Sequence, residues 1–295
     1  MLEYGDEVGP YSFDRRTFLT AASATVALAA CGAGAPQPRE LRLRFPDGLR
    51  APSVAVAGSP QRFPFVIGGD DGFPMTDQDA PAELILELSF RGEMIDTHTI
   101  PARGIGQFTP YYPLVFTPEA AGPYSVRAEF SEFDTEFLVV ERDQTPLFQI
   151  GENLPPFVTP TFDDAAGVNP VCTRPGEPCA FHEITLTDAI DNDRPTAMLI
   201  ATPQFCQTDV CGPNLEWLID LASNRTDINV IHAEVFEDFL RDSSGVDIPV
   251  RAPMLLEWDL AFEPSLFILD AEGVIVDARH FAFDRGEMEE ALALI

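Results

Sequence analysis

The stretch PTAMLIATPQFCQTDVCGP, Pro195 to Pro213, governs how the rest of the chain is read. Thr196 to Ala201 is mostly apolar with little alternation, as expected of a central strand covered on both faces in an α/β domain. Beyond Pro213, Leu215, Leu218, Ile219 and Ala222 recur at helical spacing. Cys206 and Cys211 therefore sit where a strand hands over to a helix. The unpaired N–H groups and the macrodipole of a helix start favour thiolate, the nucleophile of disulfide exchange. Residues five apart on one continuous helix are turned about 140° from each other and rise about 7.5 Å. A disulfide needs Cα atoms within about 7 Å. A bridged pair thus requires Cys206 on the turn and Cys211 at or before the first helical turn. Two inert core thiols are the alternative, and these are uncommon outside the cytoplasm.

The N-terminus points outside. Arg15-Arg16-Thr17-Phe18-Leu19, followed by the small, weakly apolar Ala21 to Ala30, reads as a twin-arginine export signal too short to span a bilayer. Leu28-Ala29-Ala30-Cys31 then resembles the lipobox of bacterial lipoproteins. That resemblance implies an extracytoplasmic protein anchored to the cell membrane by lipid at Cys31, with residues 1–31 as signal and lipobox. Cleavage to a soluble secreted form is the competing outcome. With one of the five cysteines assigned to lipid, Cys172/Cys179 and Cys206/Cys211 remain as two local pairs in an oxidising compartment.

Composition narrows the partners. The 295 residues suggest about two domains, and 45% hydrophobic content with 23 Phe is ample for buried cores. A net charge of −30 argues against nucleic acid and against electrostatic docking on anionic lipid. All 18 basic residues are Arg, consistent with an acidic, solubilising surface.

Gly32 to Glu40 is a Gly/Ala/Pro tether. Across 41–142 run eight short alternating or β-rich segments: Leu41 to Phe45, Ser53 to Ala57, Arg62 to Ile67, Glu83 to Phe90, Met94 to Ile100, Tyr112 to Phe116, Tyr124 to Phe130 and Thr135 to Val140. Such density implies an all-β, immunoglobulin-like sandwich. Asp70-Asp71-Gly72 through Asp77 and Asp79 reads as a solvated acidic loop, with calcium binding as the sharper alternative. Residues 143–180 form a Pro-rich linker and disulfide loop, in which Cys172 and Cys179 bracket a turn. A structural Cys172–Cys179 bridge is the simplest reading. A second redox relay, or metal ligation by Cys179 and His182 with two further ligands from elsewhere, are the others. In 181–295 we expect a helix at Ile184 to Ile190 and a strand and helix around the cysteine turn. A strand at Ile228 to Ala233, a short helix at Val235 to Leu240 and a loop at Arg241 to Pro253 should follow. A hairpin of Ser265 to Asp270 with Val274 to Ala278 and a final helix from Glu287 close the chain.

Strand, cysteine turn, helix, strand, helix, then Glu263-Pro264 leading into a hairpin and a last helix: this order resembles the thioredoxin fold over roughly residues 150–295. The resemblance implies an α/β thioredoxin-like C-terminal domain with Pro264 in the position of that fold's cis-proline, facing the reactive cysteine. It implies thiol-disulfide exchange on exported thiol or disulfide proteins, with Cys206 attacking and Cys211 resolving, and no cofactor or metal. Trp258, just upstream, either flanks the site or packs in the core. The four-residue spacing departs from thioredoxins and TlpA-like oxidoreductases, which place two residues between the cysteines. It is similar instead to one class of peroxiredoxins, which makes a thiol peroxidase the rival. Phe262-Glu263-Pro264, however, lacks the arginine that peroxiredoxins put there, and Thr202 lies four residues before Cys206 rather than three. A copper-binding protein on this scaffold is a further alternative, for which neither His232 nor His280 offers a matching ligand position. Asp209 and Glu216 near the site would oppose thiolate while the helix end favours it.

Overall fold

The computed structural model describes residues 40–43, 55–69, 73–206, 210–241, 247–260 and 263–295. Arg15, Arg16, Cys31, the tether before Glu40, Asp70, Asp71, Asp209 and Phe262 lie outside them. Eight strands build the first half: β1 (Glu40–Leu43), β2 (Ala55–Val56), β3 (Gln61–Gly68), β4 (Glu83–Phe90), β5 (Glu93–Pro101), β6 (Tyr112–Phe116), β7 (Gly122–Ala128) and β8 (Thr135–Val140). They form two sheets, ordered β1-β3-β6 and β2-β8-β7-β4-β5. The alternation along β4 sends Leu84, Leu86 and Leu88 inward and Glu83, Ile85 and Glu87 outward. Arg91 and Gly92, both at positive φ, make the two-residue turn from β4 to β5. Phe63 of one sheet meets Phe137 of the other with ring centroids 4.5 Å apart. Tyr124 reaches back to donate its hydroxyl to the Ala120 carbonyl at 3.0 Å.

The second half contains α1 (Leu186–Ile190), β9 (Thr196–Ile200), α2 (Cys211–Ala222), β10 (Asn229–Ala233), β11 (Phe236–Arg241), β12 (Asp247–Arg251), α3 (Pro253–Glu257), β13 (Ser265–Leu269), β14 (Ile275–His280) and α4 (Arg285–Leu292). Thr185 caps α1 by accepting from the Asp188 amide, and Asp284 caps α4 by accepting from that of Glu287. The central sheet runs β10-β9-β13-β14, with β9 and β10 parallel and β13 antiparallel to β9. Every residue of β9 is buried. Ala197 and Leu199 face α2 and α4 on one side, while Met198 and Ile200 face a second cluster on the other. That second cluster also takes in residues of the first-half sheets, such as Phe65, Leu86 and Leu114. Pro38–Ile295 accordingly forms one compact unit. A buried ion pair adds to the seam: Arg62 of β3 donates to both carboxylate oxygens of Glu287 on α4, at 2.9 and 2.7 Å.

Two expectations differ from what forms. The helix expected at Val235 to Leu240 is strand β11. The loop expected at Arg241 to Pro253 contributes β12, its antiparallel partner, and leads into α3. Phe236, Phe239 and Leu240 have helical spacing in sequence, but backbone pairing with Asp247–Arg251 overrides it. Among the described residues, no helix is long and apolar enough to cross a membrane.

Candidate functional site

Strand register brings the site together. Ala233 at the end of β10 and Ser265 at the start of β13 both pair with Ile200, the last residue of β9. The residues just beyond those ends, Thr202, Glu234 and Glu263-Pro264, therefore converge at the carboxyl end of β9. This is where open α/β sheets place their ligand sites. The chain then turns, and the turn carries Cys206.

Cys206 is half-buried on that turn, and Cys211 is the fully buried first residue of α2. They are joined by a disulfide with Cα atoms 6.0 Å apart. This meets the geometric requirement that one cysteine leave the helix. Pro213 is accommodated in the first turn, where its missing N–H has no helical partner to lose. Asn214 anchors the helix by donating to the Phe283 carbonyl at 2.9 Å.

A carboxyl group attends this pair. A Glu263 oxygen and the sulfurs of Cys206 and Cys211 all lie within 4.8 Å of one another. Glu263 is 6% exposed, and its Oε2 meets no hydrogen-bond partner among the described residues. Burial, followed by the charge of Glu234, pushes its pKa up to about 8, against the opposing pull of the Thr202 N–H. A pKa near 8 favours the protonated form of this carboxyl near neutrality, and its oxygen lies within 4.8 Å of both sulfurs. The Glu263–Pro264 peptide bond is cis. Glu216 is engaged elsewhere, accepting from Arg174 at 2.6 and 2.9 Å. Trp258 belongs to the core on the opposite face of the sheet, edge-on to Phe148, Phe157 and Phe267.

The bridge expected between Cys172 and Cys179 is not formed. Both are buried free cysteines with sulfurs 3.9 Å apart. Both sulfurs turn toward Nδ1 of His232, at 3.7 and 3.5 Å, and that nitrogen lies 3.2 Å from Nε2 of His182. The four donor atoms fall within 4.8 Å of one another. The Cys179 thiol, with the two imidazoles assisting, holds Cys172 well below the ordinary thiol range despite burial, while the same contact and burial push Cys179 up. His182 was legible as a partner for Cys179 from its spacing. His232 comes from β10 and gave no local signal, and neither did the pairing of Cys172 with it.

The two clusters are neighbours. The Thr173 N–H donates to Glu234 at 2.5 Å, its hydroxyl lies 3.3 Å from that of Thr202, and it accepts from the Gln204 N–H at 3.2 Å. The loop carrying Cys172 is thereby fastened to the turn carrying Cys206. In the sequence, Phe262-Glu263-Pro264 stood out for its proline and for the arginine it lacks. The carboxyl of Glu263, set between Phe262 and Pro264, is the local signal for its place in the site.

No family model matches the chain, and no curated protein is similar to it. Among solved structures, it is matched to the 1.98 Å crystal structure of an engineered protein, with 17% identity and a TM-score of 0.23. The match takes in 37% of this chain and 21% of that one, and a likeness of that size bears on neither fold nor function.

Proposed function

We propose that this protein is an extracytoplasmic thiol-disulfide oxidoreductase, tethered to the membrane by lipid at Cys31, with an immunoglobulin-like sandwich and a thioredoxin-like domain. The observation that carries the chemistry is the Cys206–Cys211 disulfide with the buried carboxyl of Glu263 within 4.8 Å of both sulfurs. In the oxidising direction, a client thiolate attacks Cys206 Sγ, the more accessible sulfur. The Cys206–Cys211 bond breaks as the client–Cys206 bond forms, and Cys211 Sγ leaves with the electron pair. Glu263 supplies the proton that neutralises it in its buried position. A second client thiolate then attacks the client sulfur of the mixed disulfide. It releases Cys206 as thiolate and the client as disulfide, two electrons having passed to the protein. The reducing direction runs the same steps backward, with ionised Glu263 taking the Cys211 proton.

The tyrosine hydroxyl turned back onto Ala120 and the order of the two β-sheets support the sandwich assignment. The parallel β10-β9 pair flanked by antiparallel β13 and β14 supports the thioredoxin-like one. Peroxide reduction needs a cation to polarise the departing oxygen, whereas a carboxyl stands beside these sulfurs, so exchange is favoured over peroxidase chemistry. The test is trapping. Reduced Cys211→Ser, incubated with a disulfide-bonded peptide, should accumulate a mixed disulfide that peptide mapping locates at Cys206. An adduct no more abundant than in the Cys206→Ser control would overturn the proposal.

A further inference from the structure

We propose that Cys172, Cys179, His182 and His232 form a closed tetrahedral site for a divalent transition-metal ion of the zinc type, held by two Sγ, Nε2 of His182 and Nδ1 of His232. The spacing of the donors fits such an ion. With bonds of about 2.3 Å to sulfur and about 2.05 Å to nitrogen, a regular tetrahedron has edges of about 3.8 Å between sulfurs, about 3.3 Å between nitrogens and about 3.5 Å between sulfur and nitrogen. The structure has 3.9 Å between the sulfurs, 3.2 Å between the nitrogens, and 3.5 and 3.7 Å from His232 to the two sulfurs.

Hydrogen bonding alone accounts poorly for this convergence. His232 Nε2 lies 3.0 Å from the Ala201 carbonyl, which can only accept, so in the neutral ring Nε2 carries the proton and Nδ1 bears a single lone pair. That lone pair faces two thiols and an imidazole nitrogen at once, and can satisfy one of them. An ion at the centre uses all four lone pairs. The surroundings are those of ligands: Ala201 fixes the His232 tautomer, and the Cys179 N–H lies 3.5 Å from Cys172 Sγ, where it supports a thiolate. The four residues are between 0% and 6% exposed, leaving no open position for substrate, which is the pattern of a structural rather than a catalytic centre. Two thiolates and a divalent ion sum to zero charge in this apolar cluster, whereas a monovalent ion would leave a buried net anion. The site would clamp the loop from Cys172 to His182 onto β10. Through Thr173 it would also hold that loop against the turn at Gln204.

The test is metal content and cobalt spectroscopy on the full chain, purified without chelator. About one zinc per chain is expected, falling at least about tenfold in both Cys179→Ser and His182→Ala. Cobalt(II) added to the apoprotein should give tetrahedral d–d bands with thiolate charge transfer in the parent protein and in the Cys206→Ser/Cys211→Ser double variant. The cobalt spectrum of the parent protein needs no variant to fold. Three results would each overturn the proposal: a Cys172–Cys179 peptide bridge in an unreduced digest with zinc near zero, copper in place of zinc at similar stoichiometry, or cobalt bands lost in the double variant.

Discussion

The two cysteine pairs are close in the structure and alike in sequence, five and seven residues apart, yet their sulfurs have opposite company. Cys206 and Cys211 lie at a helix start with a buried carboxyl within 4.8 Å, and one of the two residues is partly exposed. Cys172 and Cys179 are both buried and look onto two imidazole nitrogens. A carboxyl next to sulfur can pass a proton and so serves a bond that is made and broken. Imidazole lone pairs aimed at the same point as two sulfurs serve a cation. The lesson is that spacing brings cysteines near each other, while strands from elsewhere in the chain select their chemistry. β13 delivers Glu263, and β10 delivers His232.

The largest expected effect breaks the comparison outright. Replacing Cys206 by Ser should abolish exchange with a disulfide-bonded peptide, whereas Cys172→Ala should keep measurable exchange in whatever fraction folds. Equal loss in both would show that the pairs share one function. Next in size is protection. In the untreated protein, alkylation should label neither Cys206 nor Cys211. After mild reductant Cys206 should label readily and Cys211 on denaturation alone, whereas Cys172 and Cys179 should label only once a chelator and denaturant are added. Labelling of Cys172 and Cys179 ahead of the other pair would reverse the assignment.

Glu263→Gln should slow exchange by roughly 10²-fold, since it removes the proton donor and leaves the sulfurs in place. In the oxidising direction the parent rate should fall as pH rises through about 8, where Glu263 ionises, and the variant should lack that limb. The groups facing Glu263 are Glu234, the Thr202 N–H and the two site cysteines. Stability carries the same signature. The folded pKa of about 8 lies above the ordinary 4.5, so the folded state keeps a proton that the unfolded chain has released. Stability from this group is complete below pH 4.5 and declines as pH rises to about 8, by at most about 1.4 kcal/mol per unit. Denaturant melts of parent and variant across that window would measure it, and parallel profiles would refute the buried acid.

The smallest effect is expected from Arg174→Ala, which removes a partly exposed pair with Glu216 at the rim of the Cys172 loop. A loss of no more than about 1 kcal/mol is anticipated, with metal content unchanged. A large loss would mean that the ion pair, and not the buried cluster, holds the loop.

Much of the strand layout was legible because it is local. Alternation marked β4, β6 and β8 to their ends, and the buried run marked β9. The β11–β12 hairpin was not, because Phe236-Glu237-Asp238-Phe239-Leu240 carries a helical spacing that only pairing with a distant strand overturns. Pro249 sits within β12 opposite Phe239 of this two-stranded sheet, in which both strands are edges.

By itself the sequence determined which segments alternate, where the chain must turn, and that Cys206 and Cys211 meet only if one of them leaves the helix. These follow from backbone geometry within a few residues. Tertiary structure alone decided that Glu263 lies beside that pair and that Cys172, Cys179, His182 and His232 share one point. Both depend on the register of β10 and β13 against β9, which is set by side chains packed on both faces of a buried strand. No window of sequence contains that information, because the residues involved are separated by 50 to 60 positions.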